Sequence, residues 1–82
     1  MSYFFYILRC SDNSLYCGVT NNLDKRVKEH NSSSSRASKY TRSRRPVKLV
    51  YFEKFPDLKR AMQREVEIKK WTKIKKEALV SG

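Results

Sequence analysis

Only three stretches of this chain carry the aromatic and β-branched density that strands favour. They are YFFYILRC at residues 3–10, LYCGVT at 15–20 and VKLVYFEKF at 47–55. The first is apolar on both faces at its start, which suits a central strand. The third alternates, with Val47, Leu49 and Tyr51 set against Lys48 and Val50. The turn cluster SDNS at 11–14 joins the first two runs into a hairpin. With 82 residues there is room for one sheet and a few helices. A chain this short buries only about 60% of its unfolded surface. A single domain over residues 1–82 is expected, without internal repeats.

Between and after the strands the pattern turns helical. Asn21 is expected to cap a helix, with Asp24 three positions on. Leu23 and Val27 form its apolar stripe, and Arg26 and His30 fall within about 60° of Leu23 at 100° per residue. Lys25, Lys28 and Glu29 fall opposite. Residues 31–46 are polar and basic. Four consecutive serines at 32–35 predict a mobile loop, followed by a short helix around 36–41 and a stop at Pro46. Pro56 and Asp57 open the last long helix, with Asp57 as N-cap. Leu58, Ala61, Met62, Ile68 and Thr72 share one side, and Glu65 lies within about 20° of Leu58. Glu67 points the other way. A carboxylate inside an apolar stripe is costly unless it is paired or holds a cation. Trp71 is expected to pack against the final segment. The order is β-β-α-(α)-β-α-α, an α+β fold with a small three-stranded antiparallel sheet flanked by helices.

Charge narrows the partners. Nineteen Lys and Arg against eight Asp and Glu give +11. Solubility needs only about 2–8 net charges, so the excess points to a polyanion, nucleic acid first. No strongly apolar face opposes the basic residues, as membrane-surface binding requires, and no apolar run approaches the roughly 18–20 residues of a membrane span. The N-terminus is too quickly polar for a signal peptide, so a cytoplasmic location and reduced thiols are expected. Cys10 and Cys17 read as small apolar residues facing the core. One His and two Cys show no zinc spacing. The segment 36–45, with Lys39, Tyr40, Arg42, Arg44 and Arg45, suits phosphate contacts interleaved with base stacking. The same composition also suits a solvated linker. Nothing resembles a base-reading helix, so little sequence preference is expected.

Phosphodiester hydrolysis needs an oriented water, a proton acceptor and positive charge on the phosphate. The candidates are Tyr6 and Tyr16 in the hairpin, Arg26 and His30 on the inner side of the first helix, and Glu65 on the long helix, all directed toward one sheet face. Each has an ordinary alternative. The tyrosines serve equally as strand aromatics, Arg26 as a surface charge, His30 as a helix C-terminal cation, and Glu65 as the partner of Arg26 or a lysine. Gly18, the only internal glycine, weakens its strand. It either admits the close approach of a phosphate or helix backbone, or marks a β-bulge.

FFY in the first strand, YCG in the second, LDKRVKEH and a late helical glutamate resemble the GIY-YIG nuclease superfamily. LYCGVTNNLDKRVKEHN, SKYTRSRRPVKLVY and AMQREVEIKKWTKIKKEAL are similar to its small stand-alone bacterial members. The first motif is represented by Tyr6, with Phe4 and Phe5 at its glycine and isoleucine positions. The second keeps Tyr16 and Gly18, with Cys17 between them. The resemblance implies a metal-dependent endonuclease acting on DNA, structure-selective or repair-related, with one divalent cation, magnesium, held by Glu65. It implies that Tyr6 activates or orients water, its phenol made acidic by Arg26, which also clamps the phosphate. Tyr16 would position water or phosphate, and His30 would relay a proton. The family's late asparagine has no counterpart after Asn31, and Lys76 is the candidate replacement. The alternatives are a nucleic-acid-binding module with this fold but without efficient cleavage, and a basic subunit that docks on another protein.

Overall fold

The computed structural model describes residues 2–32 and 38–82. Three strands, β1 (Tyr3–Arg9), β2 (Leu15–Thr20) and β3 (Lys48–Phe55), form one antiparallel sheet in the order β2-β1-β3. Helices α1 (Leu23–Asn31) and α2 (Lys39–Arg42) lie between β2 and β3, and α3 (Leu58–Lys69) and α4 (Lys73–Ser81) follow. The expected element order holds. The serine run and the start of the expected short helix fall mostly on residues 33–37, outside the described residues.

β1 is central because both of its faces are apolar. Phe5 and Ile7 point to one side and pack with Cys17, Ile68, Trp71, Leu79 and Val80, the layer of α3 and α4. Tyr6 and Leu8 point to the other and pack with Cys10, Val47, Tyr16, Leu23, Val27 and Tyr40, the layer of α1 and α2. Burying such a side chain fully contributes about 1.5–3 kcal/mol, so β1 anchors two half-cores at once. Cys10 and Cys17 are buried free thiols, and burial pushes both up from their ordinary pKa. Among the described residues no helix is long and apolar enough to cross a membrane.

β3 departs from the simple alternation. Ile7 pairs with Tyr51 but Leu8 pairs with Leu49, so Val50 is an extra residue. A bulge of this kind turns the following side chain to the other face. Val47 and Leu49 therefore join Tyr6, while Val50 and Tyr51 join Phe5. Val47 precedes the strand; Asn31 accepts from its N–H at 2.6 Å and donates to its carbonyl at 2.9 Å.

The helices correct several expectations. The cap of α1 is Asn22, not Asn21: its side chain accepts from the Lys25 N–H at 3.1 Å, and the Thr20 hydroxyl accepts from its own N–H. Glu29, expected outward, is drawn back to Arg26 at 3.1 Å. Asp57 caps α3 as expected, accepting from the Arg60 N–H at 2.8 Å. The buried face of α3, however, is Ala61 and Ile68, about 70° around the helix from Leu58. Leu58, Met62 and Val66 are 43%, 49% and 55% exposed, so the apolar stripe is rotated off the core and Glu65 lies at its margin. Thr72 is not on α3 at all; it caps α4. Arg9 forks onto Glu77 at 2.7 and 2.6 Å and ties α4 to the end of β1. Arg64 forks onto Glu53 at 2.8 and 3.1 Å and ties α3 to β3.

Candidate active site

The site begins with Gly18. It pairs directly with Tyr6 across β1 and β2, so both face the same side of the sheet. A Cβ at position 18 would sit 2.6 Å from the Tyr6 ring carbon that bears the hydroxyl. The glycine makes room for this ring. Pairing through Gly18 is regular, which removes the bulge reading; the register shift lies between β1 and β3.

Laid over Gly18, the Tyr6 hydroxyl reaches the Nε2 of His30 at 3.0 Å, and the Arg26 charge lies close enough to favour its ionised form. His30 is completely buried, and its Nδ1 lies 2.8 Å from the Thr41 hydroxyl. Tyr16 stands edge-on to His30, with ring centres 5.2 Å apart, and stacks on Tyr40 at 5.7 Å. Thus α1 brings Arg26 and His30 against Tyr6 and Tyr16 on one sheet face.

Burial dominates the electrostatics. It drives the Tyr6 phenol up to about 12, against the lowering effect of the Arg26 contact. The expectation that Arg26 makes this phenol acidic is therefore corrected: the sign of its influence is right, but desolvation of a phenolate outweighs it. Burial likewise takes His30 down to about 4, with Arg26 adding repulsion and Glu29 partly opposing it. His30 is a neutral imidazole at pH 7, not a helix-terminal cation. Burial works against the Arg26 charge as well, but its contacts with Tyr6 and Glu29 outweigh that and hold its pKa above the ordinary value. A groove of about 420 Å³, lined by Thr20, Asn21, Asn22, Lys25, Arg26 and Glu29, opens beside Arg26.

Glu65 stands on α3, which buries Ala61 and, against Phe5 and Ile7, Ile68. The Glu65 side chain is 20% exposed and meets Lys69 one turn on at 3.4 Å, and its charge reaches both Tyr6 and Cys17. An exposed i,i+4 pair of this kind contributes only about 0.3–0.5 kcal/mol and holds the carboxylate weakly. Among the described residues no three His, Cys, Asp or Glu side chains form a cluster. One weakly held carboxylate suits magnesium, which keeps several waters and takes phosphate oxygens, and does not suit zinc.

The basic segment divides in two. Tyr40 and Arg44 are half-buried and tied to each other: the guanidinium lies 4.0 Å from the Tyr40 ring centre, donates to the Tyr40 carbonyl at 2.9 Å and pairs with Asp12 at 3.0 Å. The expected stacking of a base on Tyr40 meets a ring already engaged by Tyr16 and Arg44. Lys39, Arg42 and Arg45 are exposed, with the Arg45 Nε donating to the Arg42 carbonyl at 3.2 Å. The sequence reading missed Thr41 and Asn31. The spacing of Ser38 and Thr41, which forms the N-cap of α2, was an available signal for a helix start, though not for the contact with His30.

Residues 2–78 match the family described as the GIY-YIG catalytic domain. The chain is 54% identical over 79 residues to a UPF0213 protein of Clostridium perfringens, covering 96% of this chain and 83% of the relative. The solution structure of a UPF0213 protein from Bacillus halodurans superposes with a TM-score of 0.62 at 44% identity, covering 99% of this chain and 84% of that one. A protein from E. faecalis superposes with a TM-score of 0.65 at 33% identity, with the same coverage of both chains.

Proposed function

The chain belongs to the family of GIY-YIG catalytic domains, among the small UPF0213 proteins of bacteria and archaea, and on that premise we propose that it is a magnesium-dependent endonuclease acting on DNA as one catalytic unit. Little sequence specificity and selection of DNA by its structure, as in repair, go with this reading. The observation that carries it is the contact of Tyr6, His30 and Arg26 over Gly18. A buried tyrosine hydroxyl needs one hydrogen-bond partner whatever its role; what supports the reading is that this one, an imidazole, comes with the charge of Arg26 beside the same hydroxyl.

Glu65 would hold the cation. Magnesium, when bound, neutralises phosphate charge and stabilises the leaving oxygen. The chain's own residues do the rest. Arg26 offers N–H donors to the scissile phosphate, a charge-assisted contact roughly twice as strong as a neutral one. With its phenol raised to about 12, Tyr6 is not a phenolate at neutral pH. It moves a proton as a relay, accepting one from water while passing its own to His30 Nε2. Tyr16, edge-on to His30, limits the space beside that pair. Lys39, Arg42 and Arg45 supply phosphate contacts. The second reading, binding of nucleic acid without efficient cleavage, draws on Tyr6 being only 1% exposed.

Cleavage of single-stranded, duplex and branched DNA, with magnesium and with chelator, tests both readings. Glu65→Ala and Arg26→Ala are expected to lose at least about 100-fold in rate, with Glu65→Ala retaining binding. Equal residual cleavage by wild type and Glu65→Ala removes the nuclease assignment. Replacing Lys39, Arg42 and Arg45 by Ala is expected to flatten the salt dependence of duplex binding by about 0.9 per lost phosphate contact; an unchanged slope moves the binding surface elsewhere.

A further inference from the structure

We propose that Thr41 is a positioning residue that locks His30 in the Nδ1–H tautomer and so keeps the Nε2 lone pair aimed at the Tyr6 hydroxyl. The inference deepens the nuclease reading and rests on it for its catalytic meaning, though not for its geometry.

The Arg26 guanidinium beside Tyr6 has N–H donors and no acceptor, so it cannot take the Tyr6 proton and draws the oxygen's lone pairs toward itself. The Tyr6 proton is then directed away from that charge. His30 Nε2 lies in reach at 3.0 Å, and accepting there leaves Nε2 unprotonated. A neutral imidazole keeps one N–H, which is then on Nδ1 and points at the Thr41 hydroxyl oxygen at 2.8 Å. The hydroxyl can receive it because its own proton has the Ser38 carbonyl at 3.2 Å. That carbonyl can only accept, so it favours this direction, and the Ser38 hydroxyl at 3.1 Å fits it as a further donor to Thr41. Thr41 is itself fully buried, and its backbone N–H is fixed by the Ser38 side chain at 3.2 Å.

This has a consequence for the relay. When Tyr6 takes a proton from water and releases its own, His30 gains it on Nε2 and becomes an imidazolium. Its Nδ1–H stays bonded to Thr41, so no second proton moves and the ring does not rotate. A valine at position 41 keeps the shape but leaves Nδ1–H without an acceptor. The imidazole is then free to place its proton on Nε2, where it cannot accept from Tyr6.

His30 is the only histidine in the chain, so its ring nitrogens are read without ambiguity by long-range ¹⁵N–¹H correlation spectra of the full protein. The expected result at neutral pH is an Nδ1–H tautomer in wild type and Thr41→Ser, and a mixture or an Nε2–H tautomer in Thr41→Val. An Nε2–H tautomer in wild type overturns the proposal, whether or not any variant folds. So does an unchanged tautomer in folded Thr41→Val. The kinetic arm expects Thr41→Val to lower kcat at least about tenfold with KM little changed, and Thr41→Ser to restore it. Absence of wild-type cleavage refutes the nuclease reading while the tautomer result still decides this one.

Discussion

Acidification from about pH 7 to about pH 5 should destabilise the folded chain chiefly through His30. Its folded pKa is about 4, against 6.5 for an unperturbed imidazole. Between those values the unfolded chain binds a proton that the folded one refuses, so stability is full above about 6.5 and is lost as pH falls toward 4. Integrating the two titrations gives a loss of about 2 kcal/mol between about pH 7 and about pH 5. The groups facing the imidazole reinforce the assignment: Arg26 repels the added proton, Glu29 only partly offsets it, and Tyr6 and Thr41 are neutral. Carboxylates held low by their partners, Glu53 by Arg64 and Glu77 by Arg9, lose their contribution mainly at more acidic pH. Urea denaturation at the two pH values, for wild type and His30→Gln, measures the difference. The variant should lose less than about 0.5 kcal/mol over the same interval. Equal losses in both proteins, or a His30 ring proton that titrates near 6.5 in the folded state, would refute the reasoning.

Two further outcomes follow from contacts already described. Gly18→Val should cost about 1–3 kcal/mol by overpacking against the Tyr6 ring and reduce cleavage far more than Val19→Ala; near-equal effects in denaturation and rate measurements would count against the role of the gap. Asn31→Ala should cost about 2 kcal/mol in chemical denaturation, since both backbone groups of Val47 lose their partner. Asn31→Asp should not rescue it, because a carboxylate cannot donate to the Val47 carbonyl.

The strands were legible in the sequence because β1 is apolar on two faces and the hairpin turn is short. The bulge at Val50 was not, because valine, leucine and tyrosine stand side by side there and any phase of the alternation looks apolar. On α3 the large residues Leu58 and Met62 outweighed the small Ala61, yet the sheet surface selected Ala61 and Ile68 for close packing. Two adjacent asparagines are equal as caps by composition; the Thr20 contact favours Asn22. At the site, helical phase was enough to bring Arg26 and His30 inward. It could not report how deeply Tyr6 would be buried, and depth decides the direction of its pKa. Thr41 reaches His30 across eleven positions of sequence, and no periodicity within one element encodes such a contact.

Tyr6 belongs to a hydrophobic half-core and to the polar network at once. In a larger enzyme the two duties fall on different residues, and an active site can drift while the scaffold stays intact. Here a change of residue type at position 6 must satisfy the neighbours of a core aromatic and also replace a donor for His30. Tyr6→Phe fills the volume but leaves a buried imidazole nitrogen unserved. The range of tolerated sequences at this position is therefore narrow for two unrelated reasons, and invariance at position 6 among related chains would not by itself reveal which of them selection has enforced.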